Sequence, residues 1–252
     1  MSLIDAHSSS LTFRDSSFSF SVVAIPIAME TPQSRLFEAL IFDMDGVLIN
    51  SEPLHECAKR EALREAGIVV PESLFASYTG RSDKAMIYEV AAEHGLDEQR
   101  SAEILSRKHL IYESLEHTLH PVPGAIEFVH CAKSRFRLAL ATSATRRNRE
   151  TPLKMLQIES TFEIVVDSAS FSQPKPSPEV FQIALERLAL APACLVIEDA
   201  VNGIVAASAA GCFSAGLTSS FSEASPREAG ADIVVGSYSE LKALLTASEK
   251  TE

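Results

Sequence analysis

An alternation of short apolar runs with amphipathic stretches, which begins near Leu36, most constrains the fold of this chain. The apolar runs are bounded by turn residues and lie at 38–43, 136–142, 163–166, 194–197, 212–217 and 232–235. The amphipathic stretches lie between or after them, at 124–134, 146–157, 177–190, 200–210 and 237–246. Strands that alternate with helices of this length are typical of βαβ units and a parallel sheet. We therefore predict an α/β fold.

One segment breaks this alternation, because residues 54–121 contain no convincing strand pattern. Apolar residues at helical spacing instead indicate helices near 53–67, 71–77, 82–94 and 98–118. We predict a core of residues 37–53 and 122–252, and an inserted helical cap of residues 54–121. The crossings near 50–54 and 120–124 are natural hinges, so the cap could close as a lid that excludes water. The alternative is a helical subdomain that does not move.

Residues 1–36 differ in composition from the rest of the chain, since they are rich in Ser and Phe. Ser-rich segments can target an organelle, but Asp5, Asp15 and the scarcity of Arg argue against a transit peptide. The short apolar run at 22–29 contains Pro26 and lacks a basic flank, which argues against a signal peptide. We expect a disordered or non-native leader, with a start at Met29 and organelle targeting as alternatives.

The chain is acidic, with 22 Lys and Arg against 34 Asp and Glu and a formal net charge of −12. Such a protein has no electrostatic footprint for nucleic acid or for anionic lipid. A phosphorylated ligand would therefore need a local cation, which favours a bound metal ion. The charge thus excludes nucleic-acid partners and points to a metal if the ligand is a phosphate.

The cysteines and the apolar runs bear on where the protein works. The four cysteines form no CxxC pair and lie far apart, at Cys57, Cys131, Cys194 and Cys212. Cysteines of this kind are usually buried, reduced thiols of a cytosolic protein. No apolar run approaches the ~20 residues that span a bilayer. We expect a cytoplasmic protein with no membrane partner, as a monomer or weak homodimer.

The first apolar run ends in two carboxylates, Asp43 and Asp45, followed by Gly46. In open α/β sheets, ligands bind at the carboxyl edge, where this strand would end. A glycine lets the backbone turn and pass close to a ligand. The pattern thus indicates a carboxylate nucleophile at the sheet edge, with an ordinary Asp-Gly turn as the alternative.

Polar residues also follow three later segments. Thr142 and Ser143 end the second apolar run, Lys175 lies in a Pro-rich loop before a helix, and Glu198 and Asp199 end the run at 194–197. A hydroxyl, an ammonium and a second carboxylate pair at one sheet edge are typical of a phosphoryl-transfer site.

Taken in this order, the four segments resemble the haloacid dehalogenase superfamily. They resemble its phosphatase and β-phosphoglucomutase-like branch, which carries a helical cap after the first motif. The resemblance covers about residues 37–245. It implies a Rossmann-like parallel sheet with helices on both faces, a phospho-aspartate intermediate and a Mg²⁺ cofactor.

By this resemblance, Asp43 is the nucleophile that attacks phosphorus. Its approach to a phosphate is repelled by about 4 kcal/mol per charge pair, at ~4 Å and a dielectric of ~20. Mg²⁺ would offset this repulsion through oxygen ligands. The implied ligands are the Asp43 carboxylate, the Asp45 backbone carbonyl and Asp199, with Glu198 assisting.

The remaining motif residues take the other roles that the resemblance implies. Lys175 neutralises the nucleophile and a phosphate oxygen, Thr142 donates a hydrogen bond to the phosphoryl group, and Ser143 offers its backbone N–H. Asp45 is the general acid and base that protonates the leaving oxygen and then activates water. Because halide needs no proton to leave, Asp45 argues against dehalogenation.

The cap carries three residues that resemble substrate contacts of β-phosphoglucomutase, namely His55, Arg81 and Lys108. The alternative is that they are solvated surface residues. Asn50 and Pro174 stand where the family usually has Asp and Gly, and they could alter loop geometry and substrate preference.

We therefore expect a Mg²⁺-dependent phosphatase that acts on a small phosphorylated metabolite, with a sugar phosphate as the expected substrate class. One rival is a β-phosphoglucomutase-like mutase, which moves a phosphoryl group within a sugar. A second rival is a catalytically idle binding protein on the same fold, since fold alone does not establish function.

Overall fold

The computed structural model describes residues 37–78, 82–191, 193–218 and 224–247. The predicted leader, residues 1–36, lies outside the described residues, as does Arg81. The strands are β1 Ala39–Phe42, β2 Ile49–Asn50, β3 His120–Pro121, β4 Arg137–Ala141, β5 Ile164–Val166, β6 Cys194–Glu198, β7 Phe213–Leu217 and β8 Ile233–Val235. The helices are α1 Glu52–Glu65, α2 Glu72–Ser77, α3 Asp83–Glu93, α4 Glu98–Leu115, α5 Ala125–Ala132, α6 Arg146–Met155, α7 Glu179–Leu188, α8 Val201–Ala209, α9 Ala224–Glu228 and α10 Tyr238–Ala247.

Six strands form one parallel sheet in the order β5-β4-β1-β6-β7-β8. These are the six predicted strands, so the predicted α/β fold with a Rossmann-like sheet is confirmed. The chain builds outward from β1, first through β4 and β5 on one side and then through β6 to β8 on the other. The order therefore reverses beside β1, and such a switch point opens a crevice for ligands at the carboxyl ends of the strands.

Helices cover both faces of the sheet because alternate side chains of each strand point to opposite faces. On one face, Leu40 and Phe42 share an apolar cluster with Phe128 of α5 and Leu241 of α10. On the other face, Ile41 belongs to a second apolar cluster, which includes Phe181 of α7 and Ala206 of α8. All four residues of β1 are buried, so this strand is fixed from both sides and holds its last residue in place.

Helices α1 to α4 pack around an apolar core of their own, which includes Leu63, Ile87, Ile104 and Tyr112. The chain enters and leaves this helical block through β2 and β3, which pair antiparallel. The sequence analysis missed this ribbon because two residues are too few to show a strand period. It missed the five-residue helix α9 for the same reason. The division into core and cap, and hinge motion at these crossings, remain predictions.

All four cysteines are free thiols. Cys194 and Cys212 are buried with their sulfur atoms 3.2 Å apart, whereas Cys57 and Cys131 are exposed. The expectation that all four are buried is therefore wrong for Cys57 and Cys131. Each of these lies one helical position away from a buried alanine, and a step of one residue turns a side chain by about 100° from the packed face. Among the described residues, no helix is long and apolar enough to cross a membrane.

Candidate active site

The site lies at the carboxyl edge of the sheet, where three adjacent strands end in polar residues. Asp43 follows β1, Thr142 follows β4, and Glu198 is the last residue of β6 and precedes Asp199. All four of these side chains are buried. Because β4, β1 and β6 are neighbours and parallel, their ends converge, and distant sequence positions meet.

Lys175 joins these strand ends. Its Nζ donates to Asp43 Oδ1 at 2.6 Å, to Glu198 Oε1 at 2.6 Å and to the Ala141 carbonyl oxygen at 3.2 Å. The same Nζ lies over the ring of Phe181, 5.1 Å from the ring centre. One ammonium group thus links β1, β4 and β6, and the loop before α7 is fixed over the sheet edge.

Asp43, Glu198 and Asp199 each offer a carboxylate oxygen, and these oxygens lie within 4.8 Å of one another. Hard oxygen ligands of this type suit Mg²⁺. Three buried carboxylates with the single ammonium of Lys175 leave excess negative charge, which a divalent cation would balance. The residues present therefore fit a Mg²⁺ ion.

The electrostatics of the cluster show the same excess. Burial raises the pKa of Asp43 to about 7, with Lys175 opposing the rise and Glu198 and Asp45 adding to it. Burial lowers the pKa of Lys175, but the charges of Asp43 and Glu198 outweigh burial and raise it overall. Lys175 therefore keeps its positive charge. Because Asp43 and Glu198 both pair with this one ammonium group, the negative charge of an ionised Asp43 is only partly compensated.

Gly203 makes room for Glu198. A Cβ at position 203 would lie 1.9 Å from Glu198 Oε1, while Glu198 Oε2 accepts hydrogen bonds from the N–H groups of Asp199 and Ala200 at 3.1 and 3.2 Å. The carboxylate is thus held between the loop backbone and the first turn of α8, where only glycine fits.

We expect Gly203→Ala to lower the free energy of unfolding by about 1–3 kcal/mol, because the methyl group displaces a buried, hydrogen-bonded carboxylate. Urea unfolding would measure this change. Gly236→Ala is the matched control, since a Cβ there meets no atom closer than 3.6 Å. Equal stability of the two variants would contradict the expected clash.

Asp45 lies apart from the three-carboxylate group. Its Oδ1 accepts a hydrogen bond of 2.5 Å from Ser51 Oγ, and Ser51 is buried immediately before α1. Gly46, with φ of 71°, makes the turn that carries Asp45 over the end of the sheet. The sequence analysis did not identify Ser51, although a small polar residue at a crossing between core and cap was a usable signal.

Thr142 and Ser143 differ in exposure. Thr142 is buried and its Oγ1 accepts a hydrogen bond from the Ala144 N–H at 3.1 Å, whereas Ser143 is exposed. Both line a cavity of about 400 Å³ that also reaches Asp43, Lys175 and Asp199. The structure therefore places them at the predicted edge, and their roles toward a phosphoryl group remain predictions.

The cap forms the opposite wall of this cavity, through residues that include His55, Lys59 and Asp83. A second cavity of about 430 Å³ adjoins it and is bordered by Lys108, with His55 and Asp83 lining both. His55 and Lys108 thus lie at the site, in contact at 2.7 Å between Nδ1 and Nζ. The sequence analysis missed Asp83 and Lys59.

A family model described as haloacid dehalogenase-like hydrolase matches residues 40–217. The chain belongs to the haloacid dehalogenase-like hydrolase family. The predicted membership in this family of enzymes is therefore confirmed. The matched range runs from β1 to β7 and includes every core site residue described above.

Two known proteins illustrate the likeness. A phosphorylated carbohydrates phosphatase of Thermotoga maritima is 34% identical over 69% of this chain and 82% of that protein. The chloroplastic protein SUPPRESSOR OF QUENCHING 1 of Arabidopsis thaliana is 30% identical over 83% of this chain, which spans 21% of that relative's length.

Among solved structures, a β-phosphoglucomutase of Clostridium difficile matches with a TM-score of 0.69 and 25% identity. The match covers 85% of this chain and 98% of that one. The likeness therefore includes the helical block as well as the sheet, which agrees with a cap inserted into a haloacid dehalogenase-like core.

Proposed function

We propose that this protein is a Mg²⁺-dependent phosphatase that acts on a small phosphorylated metabolite, of the sugar phosphate class, through a phospho-aspartate intermediate. The convergence of Asp43, Lys175, Glu198 and Asp199 at one sheet edge carries the proposal. A relative named as a phosphatase of phosphorylated carbohydrates supports the substrate class.

In the first step, a carboxylate oxygen of Asp43 attacks phosphorus, and the bond between phosphorus and the leaving oxygen breaks. Lys175 stays charged between Asp43 and Glu198, so it stabilises the negative charge of the transferring group. Thr142 and Ser143 line the same cavity and donate hydrogen bonds to phosphoryl oxygens. Asp43, Asp199 and the Asp45 backbone carbonyl, with Glu198 assisting, would hold a Mg²⁺ ion, which would supply positive charge that favours ionised Asp43.

Asp45 moves the protons in this scheme. Its carboxyl group gives a proton to the leaving oxygen in the first step and then accepts a proton from water. That water attacks phosphorus, the bond to Asp43 breaks, and inorganic phosphate leaves. The hydrogen bond from Ser51 at 2.5 Å supports the proposal because it orients the Asp45 side chain beside the cavity.

A panel of sugar, polyol and short-chain acid phosphomonoesters, assayed for phosphate release with Mg²⁺, tests the function. Folded protein that releases no phosphate from any member would refute it. The mutase alternative is favoured by the His55–Lys108 contact and by the structural likeness to a β-phosphoglucomutase. Conversion of β-glucose 1-phosphate to glucose 6-phosphate with little free phosphate would establish that alternative instead.

Removal of metal is expected to abolish activity, and Mg²⁺ should restore it. Asp199→Asn removes one proposed ligand, so we expect the Mg²⁺ concentration for half-maximal activity to rise roughly 10–100-fold. Glu186→Gln, at an exposed position of α7, is the control that removes the same charge away from the site. Full activity in a chelator, or an unchanged Mg²⁺ requirement of Asp199→Asn, would refute the proposed metal site.

The predicted partners and location stay part of this proposal. A small phosphorylated metabolite is the proposed partner, and the net charge of −12 argues against nucleic acid. Cytoplasmic localisation and a monomeric or weakly dimeric state remain predictions. Organelle targeting stays an alternative, since one relative is named as chloroplastic.

A further inference from the structure

We propose that Asp83 is a specificity-determining residue: it neutralises the cap lysines, so that the site selects neutral, hydroxyl-rich leaving groups over leaving groups that carry a second phosphate. The inference rests on the proposed function, because it concerns the group that departs from phosphorus. It goes beyond that function by naming the residue that excludes a class of substrate.

Asp83 binds two lysines at once. Its Oδ2 lies 2.5 Å from Lys108 Nζ, and its Oδ1 lies 3.4 Å from Lys59 Nζ. These three residues belong to α3, α4 and α1, so the cluster joins three helices of the cap. The side chains of Lys108 and Lys59 are only 1% and 9% exposed, so their charges are compensated mainly by neighbouring carboxylates such as Asp83 and little by bulk water.

The other cations of the two cavities are paired as well. Lys59 also lies 3.5 Å from Glu52, and Arg147 lies 2.5 Å from Glu113. Lys175 is held by Asp43 and Glu198. Thus every Lys and Arg among the described lining residues has a carboxylate partner. A second phosphate that reached Lys59 or Lys108 would have to displace Asp83 from these lysines and lie beside the displaced charge.

The same wall offers hydrogen-bonding groups to a neutral substrate. Asp83 borders both cavities and keeps 24% of its side chain exposed, so its carboxylate can accept hydrogen bonds from hydroxyl groups. His55 stacks on Tyr112 with ring centres 4.2 Å apart, so this wall also has an aromatic surface beside Asp83. A polar but charge-balanced wall of this kind suits the hydroxyls of a sugar or polyol monophosphate.

The test compares two ligands that differ by one phosphate, glucose 6-phosphate and glucose 1,6-bisphosphate. Their dissociation constants are measured by calorimetry with Mg²⁺, in protein that carries Asp43→Asn to prevent turnover. We expect this parent to bind the monophosphate more tightly. Adding Asp83→Asn should improve binding of the bisphosphate relative to the monophosphate by about tenfold, because it leaves net positive charge on the lysines.

Two further variants complete the test. Glu65→Gln breaks a surface ion pair with Arg107 between the same cap helices, and it should leave the ratio of the two constants unchanged. Adding both Asp83→Asn and Lys108→Met restores the charge balance, so the ratio should return to the parent value. If Asp83→Asn does not fold, this double variant tests the inference alone. If Lys108 held the second phosphate in the parent, the double variant would bind the bisphosphate about tenfold more weakly relative to the monophosphate.

An unchanged ratio in Asp83→Asn, a parent that prefers the bisphosphate, or the failure of both ligands to bind would overturn the inference. Turnover of the monoester panel by the wild-type protein is measured alongside. Turnover with an unchanged ratio overturns only the role of Asp83, whereas no turnover overturns the proposed function.

Discussion

Asp43→Asn should lower the rate of phosphate release by at least roughly 10⁴-fold, because an amide does not replace a carboxylate as the nucleophile. The assay uses the best monoester of the panel with saturating Mg²⁺. Glu127→Gln, at an exposed position of α5, is the control and should keep full activity. Activity of Asp43→Asn within tenfold of the wild-type rate would remove Asp43 from the nucleophile role.

The same variant should be more stable than the wild-type protein at pH 8 in the absence of Mg²⁺. Folding raises the pKa of Asp43 from its ordinary value of 3.8 to about 7, chiefly through burial. When the pKa of an acid is higher in the folded state, the free energy of unfolding falls as pH rises from the unfolded-state pKa to the folded-state pKa. Asn does not ionise, so the variant avoids this fall. We therefore expect thermal unfolding to favour the variant at pH 8, with the difference shrinking toward pH 4. If the variant were less stable than the wild-type protein at pH 8, the negative charge of ionised Asp43 would not be uncompensated.

Lys175→Met should have the second large effect, on stability as well as activity. The variant leaves Asp43, Glu198 and Asp199 buried with no ammonium, and removing one partner of a buried ion pair costs about 3–5 kcal/mol. Urea unfolding at pH 8 without Mg²⁺ measures this cost. Added Mg²⁺ should recover part of the lost stability, because the divalent ion binds the same carboxylates.

The activity of Lys175→Met should fall by roughly 10²–10³-fold even with saturating Mg²⁺, since a preorganised donor to the phosphoryl group is lost. Lys154→Met is the matched control. The Lys154 side chain is 57% exposed and pairs with Glu150 on the surface, so we expect a stability change of about 0.5 kcal/mol or less. If Lys175→Met cost no more stability than the control, the described cluster would not hold the sheet edge together.

The strands of the sheet were predictable because strands buried on both faces appear as continuous apolar runs. The run at 38–43 became β1 and the run at 194–197 became β6, each within one residue at its ends. The antiparallel pair of β2 and β3 was not predictable from a local pattern. Its pairing joins residues about 70 positions apart along the chain, and no periodicity reports such a contact.

Part of the candidate site also followed from the sequence. Asp43, Thr142 and Asp199 stand directly after strands, so a parallel sheet that places those strands side by side must bring them to one edge. Lys175 belongs to a loop, and its contact with Asp43 was expected only from the family resemblance, whereas its contact with Glu198 was not predicted. The geometry of that cluster agrees with the expectation, while the catalytic roles await the experiments above.

The cap shows where local patterns stop being informative. The resemblance pointed to Lys108 as a substrate contact, with a solvated surface residue as the alternative. The structure places it against Asp83, 25 positions away, with its side chain almost fully buried at the edge of the second cavity, so the surface alternative is wrong and the substrate contact stays a prediction. The sequence analysis did not single out Asp83. Whether a basic residue meets substrate or an acid of a neighbouring helix depends on the crossing of α1, α3 and α4, which is set by packing of their apolar faces.

The sequence by itself determined that the fold has a parallel sheet, where its strands occur along the chain and which polar residues follow them. The reason is that a strand buried on both faces appears as a continuous apolar run and an amphipathic helix as a periodic one. The tertiary structure alone decided which charges are compensated: Lys175 between two carboxylates, and Asp83 between two lysines. The physical reason is that an ion pair depends on distances of a few ångströms between side chains from different elements, and only packing brings those elements together.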